Sequence, residues 1–480
     1  MSIEVAQLSG ERVKIPAEAL ERFRSKQRGP VLTPDDPGYD AARVIWSKDY
    51  RQRRPAVIAV CSGTGDVVDA VNFAREHSLL TAVRGGGHGI QGFATVDDGI
   101  QINLMTMNSV LVDPVARIAR VQGGATLGDV DRETTVHDLA VPTGVAPTTG
   151  MGGLTLGGGV GWLHRKYGLT LDNLRSVEVV TADGQVLRAS EDQHADLFWA
   201  VRGGGGNFGI VTEFEFNCHP VPGELALTLT AYDLDDMGSV TRQWRDWTET
   251  LPDEVTTRLI TLAPIDHPNM ERELVGRDLV IVGAMHCGTA AEGAPFVDPA
   301  RHFGKPLLDM SGHMDFRTIQ TKFDLMVYGE WSGYWKSVFL DRMSDDVIDV
   351  AVDWSKKRPI GTSVVQLMHL GGAIGRVGAG DTAFGDRSAP YMLSAETAWQ
   401  DTETYRQKCI DWAQGIVGDT EKLGGTHGTY LNFNGEVDAN TRGAQFGENM
   451  TRLRQIKAKY DPTNLFRCNH NIPPAEEVAQ

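Results

Sequence analysis

The chain has 480 residues, with 46 Lys and Arg against 63 Asp and Glu, for a formal net charge of −17. With 41% apolar and 23% charged residues, disorder, collagen-like repeats and a disulfide-stapled miniprotein are excluded. No basic excess exists to displace counterions from a phosphate backbone, so no nucleic-acid partner is expected. At about 150 residues per domain the length predicts two or three domains. Cys61, Cys218, Cys287, Cys409 and Cys468 stand far apart. They offer no pair at metal-ligand spacing and no disulfide framework, which predicts no metal site and a reducing compartment. The first residues, MSIEVAQLSGERVKIP, lack the apolar run of a signal peptide, and no apolar stretch is long enough to span a bilayer. A cytoplasmic protein without membrane contact is the expectation.

In chain order, AEALERFRSK after Pro16 is rich in helix formers. Val57 to Val60 reads as a strand, and Thr64 as the N-cap of an amphipathic helix reaching about His77. Leu80 to Val83 is the next strand and runs into three glycines. Such a strand–helix–strand unit puts a glycine loop at the carboxyl edge of a sheet, where ligands sit. GIQINL, NSVLVDP and RIARVQGG read as strands, and Thr126 to Val136 as a helix. Residues 141 to 161, VPTGVAPTTGMGGLTLGGGVG, hold eight glycines and no charge. That composition predicts a buried loop whose backbone approaches something closely, because a flexible linker would carry more serine or charge. SVEVVTADGQVLRAS is a hairpin around Asp183-Gly184, and AVRGGGGNFGIVTEFEF is a further glycine loop feeding a strand.

Composition changes after Pro222. Residues 223–425 alternate aromatic strands with helices, and 426–480 turn glycine- and asparagine-rich again before the helix ENMTRLRQIKAKY. The reading is an N-terminal domain over 1–222, an inserted α+β domain over 223–425, and a return to the first domain over 426–480.

Three glycine clusters, Arg84 to Gly92, Thr149 to Gly161 and Arg202 to Gly209, expose backbone N–H groups of the kind that cradle a pyrophosphate. G-x-G-x-x-G occurs from Gly87 and from Gly204, but neither copy opens a helix, and no P-loop lysine follows any glycine run. A diphosphate cofactor outside the standard dinucleotide fold is predicted. This reading of the residues leaves FAD, NAD and a nucleotide sugar open.

VRGGGHGIQG, PTTGMGGLTLGGGVGWLHRKYGLTLDNL, DLFWAVRGGGGNFGIVTEF and YDPTNLFRCNHNIPP closely resemble segments of the berberine-bridge-enzyme-like flavoprotein oxidases. These belong to the vanillyl-alcohol-oxidase superfamily with its PCMH-type FAD-binding domain. The resemblance covers nearly the whole chain. It implies an α+β fold in which both chain ends build the FAD domain, and an inserted substrate domain formed by an antiparallel sheet covered by helices.

The same resemblance implies roles for individual residues. His88 matches the histidine joined to the flavin 8α-methyl carbon, with Arg84, Gly85, Gly86, Gly87 and Gly89 beside the pyrophosphate. Ala146 stands where many relatives carry a second, cysteinyl link, so a single histidyl link is expected. Thr149 matches a position that gates dioxygen, which favours an oxidase over a dehydrogenase. Gly150, Gly152, Gly153, Gly157, Gly161, Gly206, Asn207, Ile210 and Val211 form the shell around the cofactor, with Asn469 and Asn471 in the returning tail. For catalysis the resemblance points to Tyr430 as base, helped by a lowered pKa, with Tyr167 as partner and His470 at the pocket. Gln366 and His369, on opposite faces of one strand, are both candidates to meet the substrate. Tyr328, Trp331, Tyr334 and Trp335 are a candidate aromatic platform.

The expected activity is removal of hydride from a hydroxyl-bearing carbon of a sugar, alcohol or hydroxylated natural product, with O2 as acceptor and H2O2 as product. Amine, N-methyl or C–C-coupling oxidation, a dehydrogenase with poor O2 use, and a flavin-binding protein without turnover are the alternatives. A monomer or homodimer is expected.

Overall fold

A computed structural model of the protein describes residues 2–266, 272–322, 331–436 and 439–476. The chain is α+β. Near the amino end, Val57–Val60, Ile100–Asn103 and Thr81–Arg84 pair in parallel, with Val31–Leu32 antiparallel at the edge. The crossover is the helix Thr64–Glu76, whose Val67, Ala70, Val71 and Ala74 face the sheet and are fully buried. Thr64 is the first helical residue and not the N-cap, a place taken by Gly63. Its hydroxyl is drawn instead to Glu178 Oε1 at 2.7 Å. Asp66 holds the preceding turn, its carboxylate accepting from the backbone N–H groups of Ser62, Arg28 and Gly29.

A second, antiparallel sheet runs in the order Val186–Ser190, Leu174–Val180, Ile210–Asn217, Ile118–Gln122 and Val110–Asp113. Its apolar face packs on the glycine-rich segment through Val121, Val177, Phe214 and Met151. The same core takes in Tyr430, Leu431, Leu453, Ile456 and Ile472 from the last part of the chain.

The largest sheet is antiparallel and runs from the short edge strand Leu308–Asp309 through Leu225–Asp233 and Leu279–His286. Its middle strands are Val255–Leu262, Val364–His369, Tyr391–Trp399 and Ser332–Leu340, and Thr426–His427 closes the edge. Helices Met237–Thr248, Asp345–Lys356 and Thr402–Lys422 cover one face, burying Leu259, Val365, Leu367 and Leu393 against Trp244, Ile348 and Trp412. With a side-chain period of two, the alternate residues face the other way. Arg258, Ile260, Gln366, Glu396 and Trp335 thus look toward the glycine loops.

Candidate active site

One cavity of about 380 Å³ lies between the glycine loops and this open face of the large sheet, within the usual size of ligand pockets. The strand Thr81–Arg84 delivers Gly85, Gly86, Gly87, His88 and Gly89 to its wall, and Thr149, Gly150, Gly152, Gly153 and Gly157 form the adjoining wall. The third loop contributes Gly203 to Asn207, followed by Ile210 and Val211. At Gly203, with φ of +119°, a Cβ would meet the Phe384 backbone at 2.3 Å. At Gly153 and Gly206 a Cβ would meet nothing within 4 Å. Bare backbone bordering open space on facing loops is the cradle an extended diphosphate cofactor needs.

His88 is half-buried, stacked on Trp46 with ring centroids 5.1 Å apart, and its Nε2 lies 3.3 Å from Thr148 Oγ1. Loss of solvent lowers its pKa to about 4, so the imidazole is neutral and nucleophilic. Ala146, in the same wall, offers no thiol.

Tyr430 also lines the cavity. Its Oη accepts from the Gly159 N–H at 2.8 Å and from Asn432 Nδ2 at 2.9 Å. The lowered pKa expected for a tyrosine base is not what the surroundings produce. Burial pushes the phenol up to about 12, and the two donors only partly oppose it. Tyr430 is therefore a neutral phenol at ordinary pH, positioned by Gly159 and Asn432.

The opposite wall carries a polar strip built across three strands. Arg258 Nη1 donates to Gln366 Oε1 at 3.2 Å, and Gln366 Nε2 donates to Glu396 Oε1 at 2.7 Å. The amide is fixed in orientation because cation and carboxylate flank it. Burial raises the Glu396 pKa above the ordinary carboxylate value, opposed by its bond from Gln366 and by the charge of Arg258. Burial lowers the Arg258 pKa to about 10, and its guanidinium lies 4.8 Å from the centroid of Trp162. Trp335, directly opposite Glu396 in the sheet, continues the wall toward Phe433 and Trp46.

The tail returns as the third wall. Asn207 holds it: its Nδ2 donates to the Gly204 and His470 carbonyls, and its Oδ1 accepts from the Ile472 N–H at 2.9 Å. His470 lines the cavity with its Nε2 3.4 Å from Gln91 Nε2 and its ring edge against Phe93. Burial lowers its pKa to about 4, so at neutral pH it is a neutral imidazole and not an imidazolium acid. Asn469 lines the cavity with its Oδ1 unpartnered among the described residues. Beneath the tail, Lys457 and Asp461 form an ion pair at 2.6 Å with both side chains at 0% exposure.

Five expected site residues lie outside the cavity lining. Arg84 points behind the first glycine loop, where its guanidinium donates to the Ala42 carbonyl. Gly161 packs on the Thr143 carbonyl, 1.8 Å from where a Cβ would stand. Asn471 follows the wall residue His470 without joining it. Tyr167 stacks on His219 at 3.9 Å, in a separate apolar cluster. His369 faces the helix side, where Arg165 Nη1 meets its Nε2 at 2.8 Å. A one-residue step along a strand reverses the side chain, and that step separates Gln366, which faces the cavity, from the outward set containing His369. Tyr328 lies outside the described residues. Arg258, Glu396, Trp46, Gln91, Phe93 and Cys468 line the cavity without having been singled out for it. For Arg258 and Glu396 the available signal was a charged residue inside the strands VTTRLITL and YMLSAETAW. Among the described residues no group of three or more His, Cys, Asp or Glu is placed to hold a metal, and no helix is long and apolar enough to cross a membrane.

Comparison with known proteins agrees with this geometry. Residues 55–190 match the FAD binding domain family, and 429–473 match the family described as berberine and berberine like. The chain is 32% identical to (R)-6-hydroxynicotine oxidase of Paenarthrobacter nicotinovorans over 462 residues, 93% of this chain and 97% of that protein. The structure superposes on 6-hydroxy-D-nicotine oxidase from Arthrobacter nicotinovorans with a TM-score of 0.81 at 28% identity, covering 94% and 98% of the two chains. It superposes on glucooligosaccharide oxidase from Acremonium strictum, whose FAD is 6-S-cysteinyl and 8α-N1-histidyl, with a TM-score of 0.82 at 26% identity, covering 95% and 99%. Glycine loops and a returning carboxyl-terminal tail around one cavity, a histidine at its wall and these matches over nearly the whole chain make the chain a member of the berberine-bridge-enzyme-like FAD-linked oxidases.

Proposed function

We propose that the protein oxidises a hydroxyl-bearing carbon of a sugar, alcohol or hydroxylated natural product, with O2 as the final acceptor and H2O2 as product. FAD bound between the glycine loops supplies the hydride acceptor. We assign His88 as its single covalent anchor, because Ala146 has no sulfur for a thioether. The histidyl link of the FAD in glucooligosaccharide oxidase supports this.

The observation that carries the reading is the Arg258–Gln366–Glu396 strip facing the glycine loops across the cavity. Glu396, with its raised pKa, is suited to take the hydroxyl proton, since a base works best when its pKa approaches the working pH. Gln366 fixes the carboxylate that receives it. Tyr430 accepts two hydrogen bonds, and its own O–H has no protein acceptor among the described residues, so it is free to hydrogen-bond the substrate oxygen. Trp46, Trp335 and Phe433 form the apolar side of the pocket.

A second reading, amine oxidation, rests on the same carboxylate, which would pair with a protonated amine. The 32% identity to a hydroxynicotine oxidase favours it. Anaerobic flavin bleaching against a panel of sugars, alcohols and amines decides between the two. Bleaching by hydroxyl compounds and peroxide release in air are expected. Bleaching by amines alone would overturn the first reading.

A further inference from the structure

A buried carboxyl–amide contact joins the two lobes away from the polar strip. Asp131, on the helix Leu127–Thr135, is 3% exposed, and Gln320, on the helix Phe316–Thr321, is 2% exposed. Gln320 Nε2 donates to Asp131 Oδ2 at 3.1 Å, to the Gly144 carbonyl at 3.0 Å and to Thr143 Oγ1 at 3.2 Å. A carboxyl and a carbonyl around the nitrogen fix the amide orientation. The remaining oxygens, Asp131 Oδ1 and Gln320 Oε1, are both buried acceptors without a donor among the described residues. Leaving two such oxygens unpaired in one contact is costly. One proton on the carboxyl supplies the missing donor.

We propose that Asp131 is a protonated carboxylic acid that shares its hydrogen with Gln320, and that this acid–amide pair positions the cavity wall from Thr143 to Thr149 against the substrate-domain helix. Loss of the proton puts an uncompensated charge in the contact and releases that wall. The wall carries Ala146 and Thr149 into the cavity, so release is felt at the flavin. Burial raises the Asp131 pKa to about 7, against the bond from Gln320 and the charge of Arg317. Arg317 shares the helix of Gln320. The Thr143–Thr149 segment and the packed strand Leu139–Ala140 carry no charged residue, and the packed strand Val110–Asp113 ends in Asp113. On the same helix, Asp129 is bound by the Thr126 cap, and Arg132 and Glu133 pair with each other.

A carboxyl whose folded pKa is raised contributes stability that is full below its unfolded value and is lost as pH rises through the folded one. The holoenzyme melting temperature is therefore expected to fall as pH rises from about 4 to about 7 and to level off above that, and the flavin reoxidation rate to change around pH 7, where Asp131 of the folded protein titrates. Asp131→Asn keeps the shape and supplies a permanent N–H donor. It should flatten both profiles at the low-pH wild-type values. Infrared spectra at pH 6 should show a protonated-carboxyl stretch missing from the variant. If wild type and Asp131→Asn have parallel pH profiles and no carboxyl band distinguishes them, the proposal is overturned. Should the variant fold poorly, Gln320→Glu provides the second case. A carboxyl pair there must raise the pH at which the fall in melting temperature ends, and an unmoved end point would equally sink the idea.

Discussion

Gly86 and Gly150 meet backbone to backbone: a Cβ on Gly86 would stand 2.5 Å from the Gly150 Cα, and one on Gly150 would stand 2.3 Å from the Gly86 nitrogen. Two loops distant in sequence close on each other there, and neither can yield, because the clash is with main chain. Gly86→Ala should destabilise the protein by about 1–3 kcal/mol, the usual cost of overpacking, and reduce flavin content. Gly206→Ala is the contrast, since nothing lies within 4 Å of its Cβ. Apo stability should stay within about 0.5 kcal/mol while flavin loading falls. Unchanged loading in Gly206→Ala would show that the open space beside it is not cofactor space.

His88 should retain flavin through denaturation. Wild-type protein is expected to give a fluorescent band on a denaturing gel, and His88→Ala to release all its flavin on acid precipitation. Flavin lost from the wild type under the same treatment would remove the covalent assignment.

Thr149 should leave room for dioxygen at the cavity wall. Thr149→Leu adds bulk at that wall, so reoxidation in air should slow by a larger factor than reduction by substrate. Equal slowing of both half-reactions would point to damaged packing instead.

The glycine loops were legible because glycine is required where backbones touch or φ is positive, and such runs stand out in any sequence. Gln366 was legible as one face of an alternating strand. Which face met the cavity was not, since period two names two faces and not their surroundings. Arg258 and Glu396 escaped notice because single charges in strands 138 residues apart become neighbours only through strand order, here with Val364–His369 between the other two. Tyr430 was placed at the cavity by its motif, yet its pKa direction depends on burial, which a motif does not carry. Asp131 gave no signal at all, because its partner Gln320 lies 189 positions away.

Lys457 and Asp461 should behave as a structural pair. Asp461 also accepts from the Leu465 and Phe466 N–H groups at 2.8 and 2.9 Å, and Lys457 Nζ reaches the Asn207 and Phe466 carbonyls at 2.6 and 3.1 Å. The pair thus shapes the turn that sends Cys468 to His470 into the cavity wall. Lys457→Met leaves the carboxylate buried and unpaired, at a cost of about 3–5 kcal/mol. The double variant Lys457→Met, Asp461→Asn should recover part of it. Urea unfolding of Lys457→Met, Asp461→Asn and the double variant measures the coupling, and additive losses would show that the two groups act independently.

In the proposed mechanism Glu396 and Tyr430 divide the work at the substrate oxygen, and their variants should differ accordingly. Glu396→Gln keeps the shape and removes the base, so the anaerobic rate of flavin reduction should fall about 10²- to 10⁴-fold, or roughly 3–5 kcal/mol of barrier. Flavin content should remain intact. In the wild type the rate should rise as Glu396 loses its proton, with the acid limb displaced above an ordinary glutamate in the direction burial imposes. That limb should vanish in the variant. Tyr430→Phe removes a neutral hydrogen-bond donor and also the acceptor of the buried Gly159 N–H. Its loss should be about 2- to 12-fold, from a net hydrogen bond of about 0.5–1.5 kcal/mol, and the acid limb should persist. A Tyr430→Phe loss as deep as that of Glu396→Gln, with the limb abolished, would make the phenol the base despite its raised pKa. A Glu396→Gln enzyme reduced at more than half the wild-type rate would remove the carboxylate from the chemistry.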